Sequence, residues 1–375
     1  MRGALRVLVI YLFCFAASPV WAQELHKEIP GLGYGNPETF AEFHGFLTLD
    51  YRDFGRNGER DGKPTFDQSD FYFNSIAQIR RNITVLGEVE YKHGGEGFKL
   101  DRAFLEWKIA GGLTLDLGKF YAPFGLEIQG YHPPIRKLVT RPFIADDLLY
   151  DEWAEVGFKV SGGSDSLLPF TYSLAMVNGP KGLRQEDLTY RNSNSEMFFV
   201  GRVQVSPHRM LHLGASYGAG TYDEARTKEL RLIGIEALFR WARLDLRGEW
   251  VRRSGDDQEI VERTIVPGAA TGDPATTLVA SSMIPADADG YYFQAAYPFL
   301  FNLSHLYSVE PVVRYDVRDP DRSVKDNNDQ ARLAIGLNLS PYPHLLFRIE
   351  YDWVRERYGT ELKNDAVLAQ AVVDF

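Results

Sequence analysis

Three groups of residues in this sequence have types and spacing that could do chemistry. Gly214-Ala215-Ser216-Tyr217-Gly218 has the spacing G-x-S-x-G, which in hydrolases lifts a serine on a sharp turn between a strand and a helix. Here the pentapeptide continues the run Leu211-His212-Leu213, no helical pattern follows, and strict alternation turns Ser216 to the polar side. A serine nucleophile is therefore not expected. His132 stands beside Pro133-Pro134, and no H-E-x-x-H, Walker A or Cys/His metal spacing occurs. The reading is no metal and no cofactor. The third group is electrostatic. Arg136, Lys137 and Arg141 crowd three cations into six residues, with Glu127, Asp146, Asp147, Asp151 and Glu152 close in sequence. Such a cluster repels itself unless acids or passing anions lie opposite.

The segment that carries those cations, 122–151, needs an explanation of its own. It contains Pro123, Pro133-Pro134 and Pro142, yet also Phe124, Leu126, Ile128, Ile135, Leu138, Val139, Phe143, Ile144, Leu148 and Leu149. A connection pointing into water has little reason to be so apolar. One folded back against protein does.

The elements around it alternate with a period of two. Phe347-Arg348-Ile349-Glu350-Tyr351-Asp352-Trp353, Leu244-Asp245-Leu246-Arg247-Gly248-Glu249-Trp250 and Ala103-Phe104-Leu105-Glu106-Trp107-Lys108-Ile109 each give one apolar and one polar face. About 16 such segments can be placed, near 42–53, 69–81, 83–93, 98–110, 113–122, 152–161, 167–179, 195–206, 209–221, 228–242, 243–253, 288–298, 305–317, 328–340, 344–356 and 365–375. Short connections (Arg81-Asn82, Gly111-Gly112, Ala242-Arg243) alternate with long polar ones near 54–68, 123–151, 180–194, 254–287, 318–327 and 357–364. That layout predicts an all-β fold: a transmembrane antiparallel β-barrel of about 16 strands, both termini on the short-turn side, with 122–151 folded inward as a constriction.

Composition agrees. Of 375 residues 13% are aromatic, and 41 Lys+Arg against 51 Asp+Glu give −10, which argues against nucleic acid as a partner. Arg2 and Arg6 before an apolar stretch, with Val20-Trp21-Ala22 supplying small residues for cleavage, predict an export signal over 1–22. A periplasmic segment over 23–40 and a barrel domain over 41–375 would follow. Trp107, Tyr121, Trp153, Tyr217, Trp241, Trp250, Tyr297, Tyr351 and Trp353 fit aromatic girdles at the two lipid–water interfaces. By alternation Arg80, Arg102, Arg202, Arg247, Arg314, Arg332 and Arg348 face the lumen, interleaved with acids such as Glu88, Asp245, Glu249, Glu310, Asp316, Glu350 and Asp352. The plain reading of that interleaving is cross-strand ion pairs. The sharper one is unpaired arginines that guide anions.

Gly118-Lys119-Phe120-Tyr121-Ala122-Pro123-Phe124-Gly125-Leu126-Glu127, followed by Arg141-Pro142, resembles the phosphate-selective porin O and P family, as does the opening strand Phe43-His44-Gly45-Phe46-Leu47-Thr48-Leu49-Asp50-Tyr51. The resemblance implies a channel in the bacterial outer membrane for small hydrophilic solutes, anions such as phosphate among them, rather than an enzyme. It implies a homotrimer, for which Gly214, Ala215 and Gly218 would offer a packing face. Namesakes line the pore with an arginine ladder and crowd lysines at the constriction; the acids interleaved here depart from that pattern. The C-terminal strand ending in Phe375 resembles the signature read by the barrel-assembly machinery, and the remaining partners would be outer-membrane lipid and lipopolysaccharide. The alternatives are a channel for another small solute, and a barrel-borne hydrolase, which would need a Ser/His pair facing lipid.

Overall fold

The structure, a computed structural model, describes residues 40–375 apart from 56–62, 96, 131, 151, 166, 185–187, 189–190, 193, 267–275 and 304. The export signal and almost all of segment 23–40 lie outside the described residues, as does Asp151.

Twenty strands run in chain order: β1 Phe40–Phe54, β2 Thr65–Asp67, β3 Asp70–Arg80, β4 Ile83–Lys92, β5 Gly97–Lys108, β6 Thr114–Tyr121, β7 Ala154–Ser164, β8 Phe170–Val177, β9 Phe198–His208, β10 Leu211–Thr221, β11 Glu229–Trp241, β12 Leu244–Gly255, β13 Gln258–Val266, β14 Thr276–Ile284, β15 Ala288–Ala296, β16 Phe299–Leu303, β17 Leu306–Asp319, β18 Gln330–Tyr342, β19 Leu345–Glu356 and β20 Ala366–Asp374. β2 continues β3 along β1, and β16 continues β15 along β17. With each of these pairs counted once, 16 antiparallel strands close into a barrel, sealed by β1 against β20 through Phe46↔Asp374 to Phe54↔Ala366. No backbone edge is left for lipid to meet unpaired. The hairpin β13–β14 stands as a separate two-stranded sheet in the connection between β12 and β15, where the sequence reads only as a long polar loop.

Burial along the strands is inverted relative to a soluble protein. Through the middle of β19 Phe347, Ile349 and Trp353 are exposed, Ile349 at 56%, while Arg348 is at 2% and Glu350 at 1%. An apolar exterior is stable because lipid covers it. Two expectations about that exterior are corrected. Tyr121 and Trp153 are buried inside the barrel rather than placed in a girdle. Gly214 and Gly218 also face inward: a Cβ on Gly214 would collide with the Glu236 side chain, and one on Gly218 would lie against Phe198 and Trp153. Only Ala215 of that trio points outward.

The interior holds a true hydrophobic core. Phe120, Phe124, Ile128, Ile144, Leu148, Leu149 and Trp153 pack with Val177, Phe198, Val200, Leu230, Leu232, Val251 and Tyr292 from β8, β9, β11, β12 and β15. Inward positions near the long-loop ends of these strands are therefore apolar, a local exception to the polar-inside pattern. They exist to seat the segment between β6 and β7.

Candidate functional site: the loop inside the barrel

Residues 122–153 leave β6, cross the lumen and return to β7. Prolines at 123, 133, 134 and 142 keep the chain from pairing as a strand. The only helical element described in the segment is one π-turn, Ile144–Leu148. A segment without secondary structure has many backbone groups to satisfy, and inside a barrel few can reach bulk water. The wall supplies the partners.

Carboxylates and a hydroxyl on the wall accept the loop's N–H groups. Ser216 Oγ accepts from Gly125 N at 3.0 Å, and Glu249 Oε2 accepts from Leu126 N and Glu127 N at 3.1 and 3.2 Å. Glu350 takes both Val139 N and Thr140 N and also the Thr140 hydroxyl, and Asp316 Oδ1 accepts from Phe143 N at 3.2 Å. Ser216, the serine of the G-x-S-x-G spacing, is thus a buried anchor. Gly125 adopts a left-handed φ of 58°, and a Cβ there would run into the Glu249 carboxylate.

Wall arginines bind the loop's carbonyls. Arg314 donates to Thr140 O at 2.8 Å and to Arg141 O at 3.2 Å; Arg332 also donates to Arg141 O; Arg348 donates to Pro133 O at 2.8 Å and to Arg136 O. Asn338 Nδ2 reaches Lys137 O at 2.9 Å. Apolar loop side chains meanwhile sit over wall glycines. A Cβ on Gly234 would meet Phe124, one on Gly290 would meet Ile144, and one on Gly336 would meet Leu138.

The tip and the return of the loop are fixed differently. The His132 ring packs edge-on against Phe46 and Tyr72, with centroids 5.5 and 5.0 Å away, and its Nε2 lies 3.3 Å from Glu88 Oε1. Glu152, buried with a strained φ of 50°, is clamped by Lys92 and Lys99. Among the described residues two groups have metal-ligand spacing, Glu88/Asp101/His132 and Glu90/Asp101/Glu152. Each already carries protein cations among its carboxylates: Arg102 on Glu88 in the first, Lys92 and Lys99 in the second. An ion would have to displace them.

The expected site residues are distributed as follows. Arg136 is half-buried on the loop, with no acidic partner among the described residues. Lys137 pairs with Glu310 on β17 at 2.7 Å rather than with a loop acid. Arg141 is buried, its carbonyl held by two arginines. Glu127 is half-buried beside Glu249; Asp146 lies near Arg332; Asp147 Oδ1 accepts from Arg318 Nη1 at 2.6 Å. Among the wall arginines, Arg102 forks onto Glu88 at 2.8 and 2.9 Å, Arg202 pairs with Glu236, and Arg247 forks onto Asp245 at 2.8 Å. Arg80 is exposed at the β3–β4 turn, off the wall proper. Arg314, Arg332 and Arg348, expected to face the lumen, point inward but are buried behind the loop, and their donors are shared between its carbonyls and the wall residues Asp316 and Gln370. Sequence reasoning did not single out Ser216, Asn338 and Gln370 as loop or arginine partners. The available signal was a polar side chain at an inward, mid-strand position.

Known proteins place this geometry. A sequence profile of the phosphate-selective porin O and P family matches residues 67–375. No curated protein matches the chain in sequence. Among solved structures, the anion-selective porin from Comamonas acidovorans is similar at TM-score 0.61 and 9% identity, over 90% of this chain and 100% of that one. Salmonella typhi OmpF is similar at 0.60 and 12%, over 90% and 98%. The outer membrane channel DcaP of Acinetobacter baumannii is similar at 0.53 and 11%, over 92% and 100%. These likenesses are of fold; the family assignment rests on the profile, which spans most of the sequence. With its closed 16-strand barrel and inward loop, the chain belongs to the phosphate-selective porin O and P family and is an outer-membrane porin.

Proposed function

We propose that this porin passes small hydrophilic solutes by diffusion with a preference for anions, and that the preference is set where the loop narrows the lumen. The observation that carries the reading is the pairing of two of the loop's cations. Lys137 is neutralised by Glu310, whereas Arg136 has no acidic partner among the described residues. In a narrow, poorly screened passage a local charge outweighs the acidic total of the chain. The similar barrel described as an anion-selective porin supports the reading. Nothing in the geometry singles out phosphate: acids alternate with the wall arginines and neutralise most of them.

The test is the zero-current potential of the purified protein in a planar bilayer across a KCl gradient. Replacing Arg136, Lys137 and Arg141 together by Gln is expected to move it toward cation preference with the barrel intact. An unchanged potential in that folded variant would overturn the reading. We also propose a homotrimer, in keeping with family resemblance and with a similar structure described in trimer form, OmpT of Vibrio cholerae. One chain per particle in a detergent mass measurement would end that proposal.

A further inference from the structure

Most inward arginines of the barrel have a carboxylate: Arg102 has Glu88, Arg202 has Glu236, Arg247 has Asp245, and Arg314 and Arg332 share Asp316. Arg348 is different. It lies on β19 behind the loop at 2% exposure, and among the described residues its guanidinium donates only to neutral oxygens: Gln370 Oε1 at 2.6 Å, Pro133 O at 2.8 Å and Arg136 O. Three acids lie near it, and no bond from any of them to Arg348 is among those described. Asp50 pairs with Arg52 at 2.9 Å and accepts from Gln370, Glu310 pairs with Lys137, and Glu350 accepts the loop's N–H groups. Arg253, also buried and bonded to carbonyls, ties Leu183, Pro285 and Ala286 together.

We propose that Arg348 is a specificity-determining residue of this channel: a buried charge bonded to no carboxylate, which holds the Arg136 segment in place and adds its own field to the passage. Carbonyl dipoles stabilise a guanidinium without cancelling its charge, and burying a charge without a counter-ion is costly. The pair Arg136 and Arg348, like charges joined through one peptide carbonyl, therefore forms a positive locus with one member facing water and one behind protein. The two should respond differently to salt. Ions screen a charge they can surround, over about 10 Å at 0.1 M and about 3 Å at 1 M, but a buried charge much less. This inference rests on the anion preference proposed above.

The experiment compares the chloride-to-potassium permeability ratio of the full-length porin, Arg348→Met, Arg348→Lys and Arg136→Gln in planar bilayers at about 0.1 M and about 1 M KCl. Arg348→Met is expected to lower the ratio about twofold or more at both concentrations. Arg348→Lys, which keeps the charge but cannot span all three acceptors, should restore most of it. Arg136→Gln should act strongly at low salt and weakly at high salt. If Arg348→Met keeps the original ratio in a heat-modifiable, folded barrel while Arg136→Gln lowers it, the inference fails and the anion reading stands. If neither variant changes the ratio, the anion reading fails with it. Should Arg348→Met not fold, the unaltered porin decides: loss of its anion preference at about 1 M would show that no buried charge contributes.

Discussion

Lys137 Nζ lies 2.7 Å from Glu310 Oε1, and Asn338 Nδ2 donates to the other oxygen of the same carboxylate at 2.9 Å. The charge of Lys137 is thus balanced from the wall, by β17. A paired lysine contributes little net field. Lys137→Gln should leave the Glu310 carboxylate uncompensated and move the zero-current potential toward cations, Glu310→Gln should release a free ammonium into the passage and move it toward anions, and replacing both should leave it almost where it was. A double variant whose potential shifts as far as that of either single one would show that the two side chains do not act as a pair.

Glu350 accepts from Val139 N, Thr140 N and the Thr140 hydroxyl, and so fixes the middle of the loop. Glu350→Ala strands two backbone donors, at about 1–3 kcal/mol for each left without a partner. Arg314 still holds the neighbouring carbonyls, so the loop should loosen rather than leave. The expected outcome is noisier open-channel current and faster amide exchange at Val139 and Thr140, with heat-modifiable migration retained. Current as quiet as that of the unaltered porin would show that Glu350 is dispensable for holding the loop.

The strands were legible in the sequence because lipid and lumen impose opposite chemistries on alternate residues, as along Phe347 to Trp353. The apolar segment 122–151 announced that it folds inward for the same reason. What could not be read was the destination of each inward group. Arg348 and Arg102 look alike by alternation, yet one meets a carboxylate and the other carbonyls of Pro133 and Arg136, more than 200 residues away in sequence. Gly214 and Gly218 looked like an exterior packing face because a glycine carries no sign of which way it points. Hairpin β13–β14 was missed because its flanking polar residues matched a loop.

Gly336 offers a direct test of how the loop seats. Its position on β18 lies beneath Leu138, whose side chain occupies the space a Cβ would need. Gly336→Val should push Leu138 into the lumen, at about 1–3 kcal/mol of overpacking strain. Single-channel conductance should fall, and Leu138→Ala in the same chain should restore it. A Gly336→Val porin with unchanged conductance would mean that the loop does not rest there.

The last prediction concerns the seam of the barrel. Phe375 and Gly45 exchange two backbone hydrogen bonds at 2.9 Å each, and the Phe375 ring lies across Gly45 where a Cβ would collide with it. The same ring stacks near Phe71, with centroids 6.5 Å apart, so the C-terminal residue fastens β1 to the chain end from the lipid side. Gly45→Val cannot keep both the backbone pair and the ring position. It should lower the temperature at which the folded form is lost on heat-modifiability gels. Phe375→Ala removes the ring, and on its own should cost less, because the ring is 57% exposed. If the ring is the obstacle, the double variant will be more stable than the sum of the two single losses, a positive coupling of order 0.5–3 kcal/mol. Recovery should be partial, since the Tyr72 carbonyl also crowds a Cβ at position 45 and cannot be removed. Strict additivity of the two substitutions would show that Gly45 is required for its backbone alone and that the terminal ring fastens nothing.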